Sequence, residues 1–243
     1  MGKKRLIVAI SGMVGHFYLG TRRGLAAAAC LMAIGIVLHV VNVSMSLRGF
    51  SQWTFSARMV MLAYGGLTLT VLFGLTLAAD RVWPFLPGQF FPTLHAHVQL
   101  GLLGWVTPMI FGVAARVYPM FLLAPAPRRF ICHVQVLGLI VGVPSVVLGL
   151  LLGVSGLSLF GALAIAAATL GHVAWVVEMV HRRKRPALDW GLRFTMTATV
   201  FLVAAAGIGL ALAIDALSGP RAALAYAVVG LGRLLSLTIG RKM

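Results

Sequence analysis

The stretch that decides the fold is residues 130–177, FICHVQVLGLIVGVPSVVLGLLLGVSGLSLFGALAIAAATLGHVAWVV, 48 residues without a single Asp, Glu, Lys or Arg. A bilayer core takes about 20 apolar residues as a helix, so this stretch is too long for one crossing and long enough for two. Gly153-Val154-Ser155-Gly156 interrupts it near the middle with residues that favour a turn. The sequence therefore predicts two membrane helices joined by a tight hairpin.

The composition of the whole chain agrees with this pattern. Hydrophobic residues make up 60% of the 243 residues and charged residues 10%, whereas soluble domains average roughly 45–50% and about 25%. The mean hydropathy is +1.01, which also excludes a soluble fold. The predicted fold class is an all-α integral membrane protein, a single polytopic domain over 1–243 with a bundle of seven or eight transmembrane helices. The predicted spans are approximately 6–20, 24–45, 58–79, 94–117, 131–152, 157–180, 193–214 and 222–240.

The first and last predicted spans are the least regular. Lys3-Lys4-Arg5 followed by a short apolar stretch is typical of a signal peptide, but Arg22-Arg23 separates that stretch from the small residues where cleavage would occur. A retained short first helix is therefore favoured over a signal peptide. Arg233 lies within the last apolar stretch, where a charge costs about 2.5–3.5 kcal/mol on insertion scales. This arginine and the abrupt ending suggest a fragment or an altered C-terminus.

The basic residues indicate membrane topology rather than nucleic-acid binding. The chain has 20 Lys+Arg and 4 Asp+Glu, but the bases lie between apolar runs without interleaved aromatics. With eight crossings and a cytoplasmic N-terminus, the inner loops carry 15 of the 20 bases and the outer loops carry four. The positive-inside rule then predicts a multi-pass protein of a bacterial cytoplasmic (inner) membrane with a cytoplasmic C-terminus. The lipid bilayer is the expected partner, and nucleic acid is not.

The histidines are the residues with the clearest chemical potential, since an ionisable side chain within the bilayer is a functional hypothesis by default. Seven are present: His16, His39, His95, His97, His133, His172 and His181. His95-Ala96-His97 is the most specific feature. Positions two apart on a helix point about 200° apart, so both rings cannot bind one compact ion.

Two uses are open for the small residues that follow His97. Gly101 and Gly104 occupy the same face, at i+4 and i+7. They could let a flat macrocycle lie against the helix backbone, or they could allow close packing of another helix, which membrane proteins use widely. On spacing alone, helix packing is favoured.

The wider motif, HAHVQLGLLGWV from His95, then MIFGVAA and VYPMF, resembles a helix of the haem–copper oxidase subunit I superfamily. It is most similar to small cytochrome-c-oxidase-subunit-I-like membrane proteins, and more distantly to haem- and copper-containing proteins linked to nitric oxide. The resemblance is strong over about 94–123 and weaker to about 240. GHFYL at 15–19 also looks like a short histidine motif of these relatives.

The resemblance implies a b-type haem with histidine ligands. In that superfamily a His-x-His pair supplies axial ligands to two haems, which here would be His95 and His97. The low-spin haem takes its second ligand from another helix on the outer side, and His16 is the candidate. His97 and His16 are then the axial ligands of one iron, Gly101 and Gly104 line the ring, and Arg81 pairs with a propionate. His95 is expected to bond the 84–93 loop instead.

The chain departs from the superfamily in ways that change the expected function. Oxidase subunit I has about twelve spans, and its copper site needs three histidines, two of them adjacent, whereas this sequence has no His-His pair. Copper and a complete oxygen-reducing centre are therefore not expected, and neither is a self-sufficient oxidase. The expected role is electron transfer, haem or nitric oxide handling, or respiratory complex assembly, with other respiratory membrane subunits or a cytochrome as partners. The alternative is a non-haem structural or transporter-like membrane subunit that retains the fold.

Overall fold

The computed structural model describes residues 10–16, 18–47, 53–184, 190–214, 225–226 and 228–229. Within these ranges the chain is helical and contains no strand. Six long helices follow one another: α1 Arg22–Leu47, α2 Phe55–Val82, α3 Phe90–Leu122, α4 Arg129–Leu152, α5 Ser155–His181 and α6 Trp190–Ala213. All six are long and apolar enough to cross a membrane. The all-helical prediction is confirmed.

The predicted number of seven or eight crossings is not matched by the described helices. Six of the eight predicted stretches coincide with α1–α6, with ends that differ by a few residues. In the stretch 6–20, residues 10–16 are helical and Leu19-Gly20 form a turn, so the described helix is too short to span a bilayer. Most of the stretch 222–240, including Arg233, lies outside the described residues.

The predicted hairpin between α4 and α5 is confirmed. Gly153 follows α4 in the left-handed conformation, at φ 67°, which a glycine adopts without steric cost. The two helices then pack closely along their length. A Cβ atom at Gly142 would lie 2.9 Å from the Gly161 carbonyl oxygen, and one at Gly161 would lie 2.6 Å from that of Gly142. Close backbone approach through small residues is the usual basis of helix association in lipid.

Helix α3 contains a wide turn in its middle. Residues Phe90–Gln99 are α-helical, Leu100–Val106 are π-helical, and Thr107–Leu122 return to the α-helix. Pro108 has no N–H with which to continue the regular ladder. The Leu102 carbonyl instead accepts from the Thr107 backbone N–H and, at 2.9 Å, from the Thr107 hydroxyl. Such π-helical turns occur frequently at functional sites.

The helices pack largely in sequence order, and much apolar surface remains outside. Helix α1 contacts α2, α2 contacts α3, α3 contacts α4, and α5 packs between α4 and α6. Large apolar side chains on the outer faces stay exposed, such as Leu38 at 61% and Leu170 at 62%. A soluble protein rarely exposes apolar surface on this scale, whereas lipid tails accommodate it. These outer faces suggest a membrane-embedded protein.

Candidate functional site

The two histidines of the His-x-His pair lie on different sides of α3. His97 is half-buried against α2, while the neighbouring His95 is exposed. This separation is the one expected for positions two apart on a helix. His95 has no hydrogen bond within the described part of the chain, so the expected bond to the 84–93 loop is not seen there.

His97 is held by the backbone of α2. Its Nδ1 lies 2.9 Å from the Thr70 carbonyl oxygen. A carbonyl can only accept, so Nδ1 carries the proton and Nε2 carries the free lone pair. The ring rests on Gly74, where a Cβ atom would lie 3.0 Å from the His97 Cε1. The imidazole is therefore oriented by one hydrogen bond and one small residue, and no described residue is hydrogen-bonded to its Nε2.

The glycines on the His97 face are used for helix packing. A Cβ atom at Gly101 would lie 3.6 Å from Thr70 Cγ2, and one at Gly66 of α2 would overlap the Gly104 carbonyl. Helix α2 therefore occupies the space beside Gly101 and Gly104. Of the two uses that the sequence leaves open, the structure has close helix packing at this face.

His16 and Arg81 line one small cavity near the start of α1 and the end of α2. His16 Nδ1 lies 2.7 Å from the Thr21 hydroxyl, and its ring covers Gly24 at the start of α1. Together with Arg22 and Arg81 it lines a small cavity of about 100 Å³, well below the 300–1,000 Å³ or so of typical ligand sites. The guanidinium of Arg81 also lies 4.9 Å from the centre of the Phe90 ring.

Among the described residues, His16 and His97 have different hydrogen-bond partners. His16 lies at the level of Arg81, and His97 at the level of Gly74. Seven residues of α2 separate those two levels, which corresponds to about 10 Å along the helix axis. The role of His16 and His97 as axial ligands of one iron stays a prediction.

His172 lies in a buried aromatic cluster between α3 and α5. Its ring is 1% exposed and stacks on Phe111, with centroids 4.2 Å apart. Trp175 packs edge-on against it at 5.6 Å. The Nδ1 atom of His172, the Nε1 atom of Trp175 and both amide atoms of nearby Gln135 are enclosed without a hydrogen-bond partner in the described residues. Such groups are uncommon in proteins, and ordered water is a frequent explanation.

The remaining polar candidates have structural partners. His39 Nε2 lies 3.0 Å from the Tyr64 hydroxyl of the neighbouring helix α2. His133, by contrast, binds the Arg129 carbonyl of its own helix. Glu178 pairs with Arg128 at 2.8 Å and with Arg182 at 3.3 Å. Among the described residues, no three His, Cys, Asp or Glu side chains lie close enough together to hold a metal ion.

One cavity was not expected from the sequence. It has a volume of about 330 Å³ and lies between α3, α4, α5 and α6. Gln99 of α3 and Tyr226 line it, and the Tyr226 hydroxyl donates to Gln99 Oε1 at 3.0 Å. The available signal was Gln99 itself, since an amide within an apolar span needs a partner or a function.

Comparisons of the chain with protein-family models, with curated proteins and with solved structures each found no match.

Proposed function

We propose that this protein is a b-type haem-binding membrane protein in which His97 Nε2 is the axial ligand of the iron. The observation that carries the proposal is the 2.9 Å contact between His97 Nδ1 and the Thr70 carbonyl. Histidines that bind metals almost always donate their other ring N–H to a carbonyl, a carboxylate or water, which fixes both tautomer and ring orientation. The resemblance of the segment from His95 to the haem–copper oxidase subunit I superfamily supports haem as the group.

The side chains fit one axial ligand better than two. His97 presents an oriented lone pair, whereas His16 lies at the level of Arg81, about 10 Å further along α2. The proposed site therefore has a single histidine ligand from this chain. Thr70 orients the ligand, Gly74 leaves room for its ring, and Arg81 supplies a positive charge for a propionate near the end of α2. When bound, haem supplies one-electron exchange at its iron and a coordination position for a small gas.

The proposed roles are electron transfer, haem or nitric oxide handling, or assembly of a respiratory complex. Other respiratory membrane subunits or a cytochrome are the proposed partners. The absence of a His-His pair from the sequence argues against the copper site of the oxidases. A self-sufficient oxidase is therefore not proposed.

A spectrum tests this function. Protein expressed with haem supplied should show a reduced-minus-oxidised difference spectrum of the b type. With a single histidine ligand, carbon monoxide added to the reduced protein should bind at once and shift the main absorption band. A sharp α-band with no response to carbon monoxide would instead indicate two axial ligands. A featureless trace contradicts haem binding altogether.

We also propose seven or eight crossings of a bacterial cytoplasmic membrane, with the C-terminus in the cytoplasm. The support is the distribution of bases, 15 in the predicted inner loops against four in the outer ones. Reporter fusions at positions 88 and 219 should read periplasmic, and fusions at 126 and 186 should read cytoplasmic. Inverted readings at 126 and 186 would rule out this orientation.

The second candidate function is a structural or transporter-like membrane subunit without haem. One observation favours it: helix α2 packs against Gly101 and Gly104, so protein occupies the space beside these glycines. The same spectrum distinguishes the two functions, because this candidate predicts no haem signal under any redox condition.

A further inference from the structure

We propose that the cavity between α3, α4, α5 and α6 binds a small apolar ring compound that carries a carbonyl oxygen, which accepts a hydrogen bond from Gln99. This site is separate from the proposed haem ligand. Gln99 and His97 are two residues apart on α3, so they project to different sides of the helix. His97 contacts α2, whereas Gln99 lines the cavity on the side of α4, α5 and α6.

The size of the cavity suits a bicyclic compound. Its volume is about 330 Å³, at the lower end of the range of small-molecule sites. An apolar cavity of about 150 Å³ is enough to hold benzene. Small residues on two helices line the space, including Ala162 and Ala166 of α5 and Ala206 of α6.

The polar groups of the cavity determine the chemistry of the ligand. The Tyr226 hydroxyl donates to Gln99 Oε1 at 3.0 Å, so in this structure the amide oxygen faces the tyrosine. The Gln99 Nε2 then offers two N–H donors, for which the described residues provide no acceptor. Gln99 is half-buried, and an acceptor on the ligand would pair with this donor inside the cavity.

A second polar group lies deeper in the same cavity. Thr169 of α5 is 2% exposed, and it also lines the cavity. One helical turn further along α5 lies His172, which stacks on Phe111. Thr107, Ser155 and Ser158 add further hydroxyl groups to the lining. The cavity therefore combines a mainly apolar wall with a few polar groups, the usual arrangement of a small-molecule site. A hydrocarbon chain of a lipid would leave Gln99 Nε2 without an acceptor, so a carbonyl compound is the better fit.

Two probes that differ by one carbonyl group test the proposal. Indanone and indane have the same bicyclic skeleton, and only indanone has an acceptor. Binding is measured by equilibrium dialysis of the purified full chain, against blanks with the same amount of detergent. We expect indanone to bind about three- to tenfold more tightly than indane, the usual net effect of a neutral hydrogen bond. The carbonyl stretch of isotope-labelled indanone should also shift to lower frequency when it is bound.

Gln99→Leu tests the donor, with indane as its internal control. The variant should bind indane as the wild type does, which shows that the cavity is intact. It should lose both the preference for indanone and the infrared shift. Equal affinity for the two probes in the wild type, or an unchanged preference in Gln99→Leu, would overturn the proposal and leave a purely apolar cavity.

Two neighbouring alanines of α5 test the location. Ala166 lines the cavity and Ala167 is exposed on the outer face. Ala166→Phe should reduce binding of both probes at least tenfold, because its ring fills the cavity. Ala167→Phe makes the same chemical change outside the cavity and should leave binding unchanged. Equal effects of the two substitutions, or no saturable binding to the wild type, would contradict the proposed site. None of these measurements depends on haem, so they can fail or succeed independently of the proposed function.

Discussion

The His97→Ala protein is expected to carry no haem, even when haem is supplied during expression. The imidazole is the proposed ligand, and alanine leaves no donor atom where Nε2 stood. The loss should be nearly complete, measured as haem per polypeptide together with the reduced-minus-oxidised spectrum. Gly74→Val should also reduce haem content. A Cβ atom at this position would lie 3.0 Å from His97 Cε1, so the valine side chain should displace the imidazole ring.

Other histidines provide matched controls for this result. His95→Ala removes an exposed imidazole two residues away, and His16→Ala removes one at the level of Arg81. Both variants should keep the haem signal. An unchanged spectrum in His97→Ala would refute the assignment. Loss of haem in His172→Ala, with His97→Ala normal, would move the site to the buried cluster around Phe111.

Gly66→Leu is expected to disrupt the packing of α2 against α3. A single Cβ atom at Gly66 would overlap the backbone carbonyl of Gly104, which cannot move aside as a flexible side chain can. Overpacking of a core costs typically about 1–3 kcal/mol, and a clash with helix backbone should reach the upper end of that range or exceed it. The expected result is a large fall in the unfolding temperature, followed by circular dichroism in detergent.

The adjacent glycine is a precise control for this effect. Gly65 has nothing within 4 Å of its Cβ position, so Gly65→Leu makes the same change on the same helix without a clash. Its unfolding temperature should stay close to that of the wild type. Equal destabilisation by the two substitutions would show that helix α2 is intolerant of leucine in general, and that the Gly66–Gly104 contact has no special role. Since Thr70 lies one turn from Gly66, Gly66→Leu should also lower haem content.

Some features of this protein follow from the sequence alone, because each of them is a property of a single helix and does not depend on which helices pack against it. The absence of charge over 130–177 requires two apolar helices, and Gly153 marks the turn between them. The separation of His95 from His97 around α3 follows from the 3.6-residue repeat. The apolar composition likewise predicts an all-helical chain, since helices satisfy their own backbone in lipid.

The site itself depends on which helices become neighbours, and that was decided only by the tertiary structure. Nothing in the spacing of His97, Gly101 and Gly104 indicates that α2 covers this face, or that Thr70 supplies the carbonyl for the imidazole. The depth of His16 depends in the same way on how the chain enters α1. Gln99 and Tyr226 lie 127 positions apart in the chain, and only the packed bundle brings them to one cavity. Helical periodicity determines the direction in which a side chain points from the axis of its own helix. It does not determine which helix packs beside it, because the apolar surfaces of the helices are similar. That choice depends on how small residues pack between the helices.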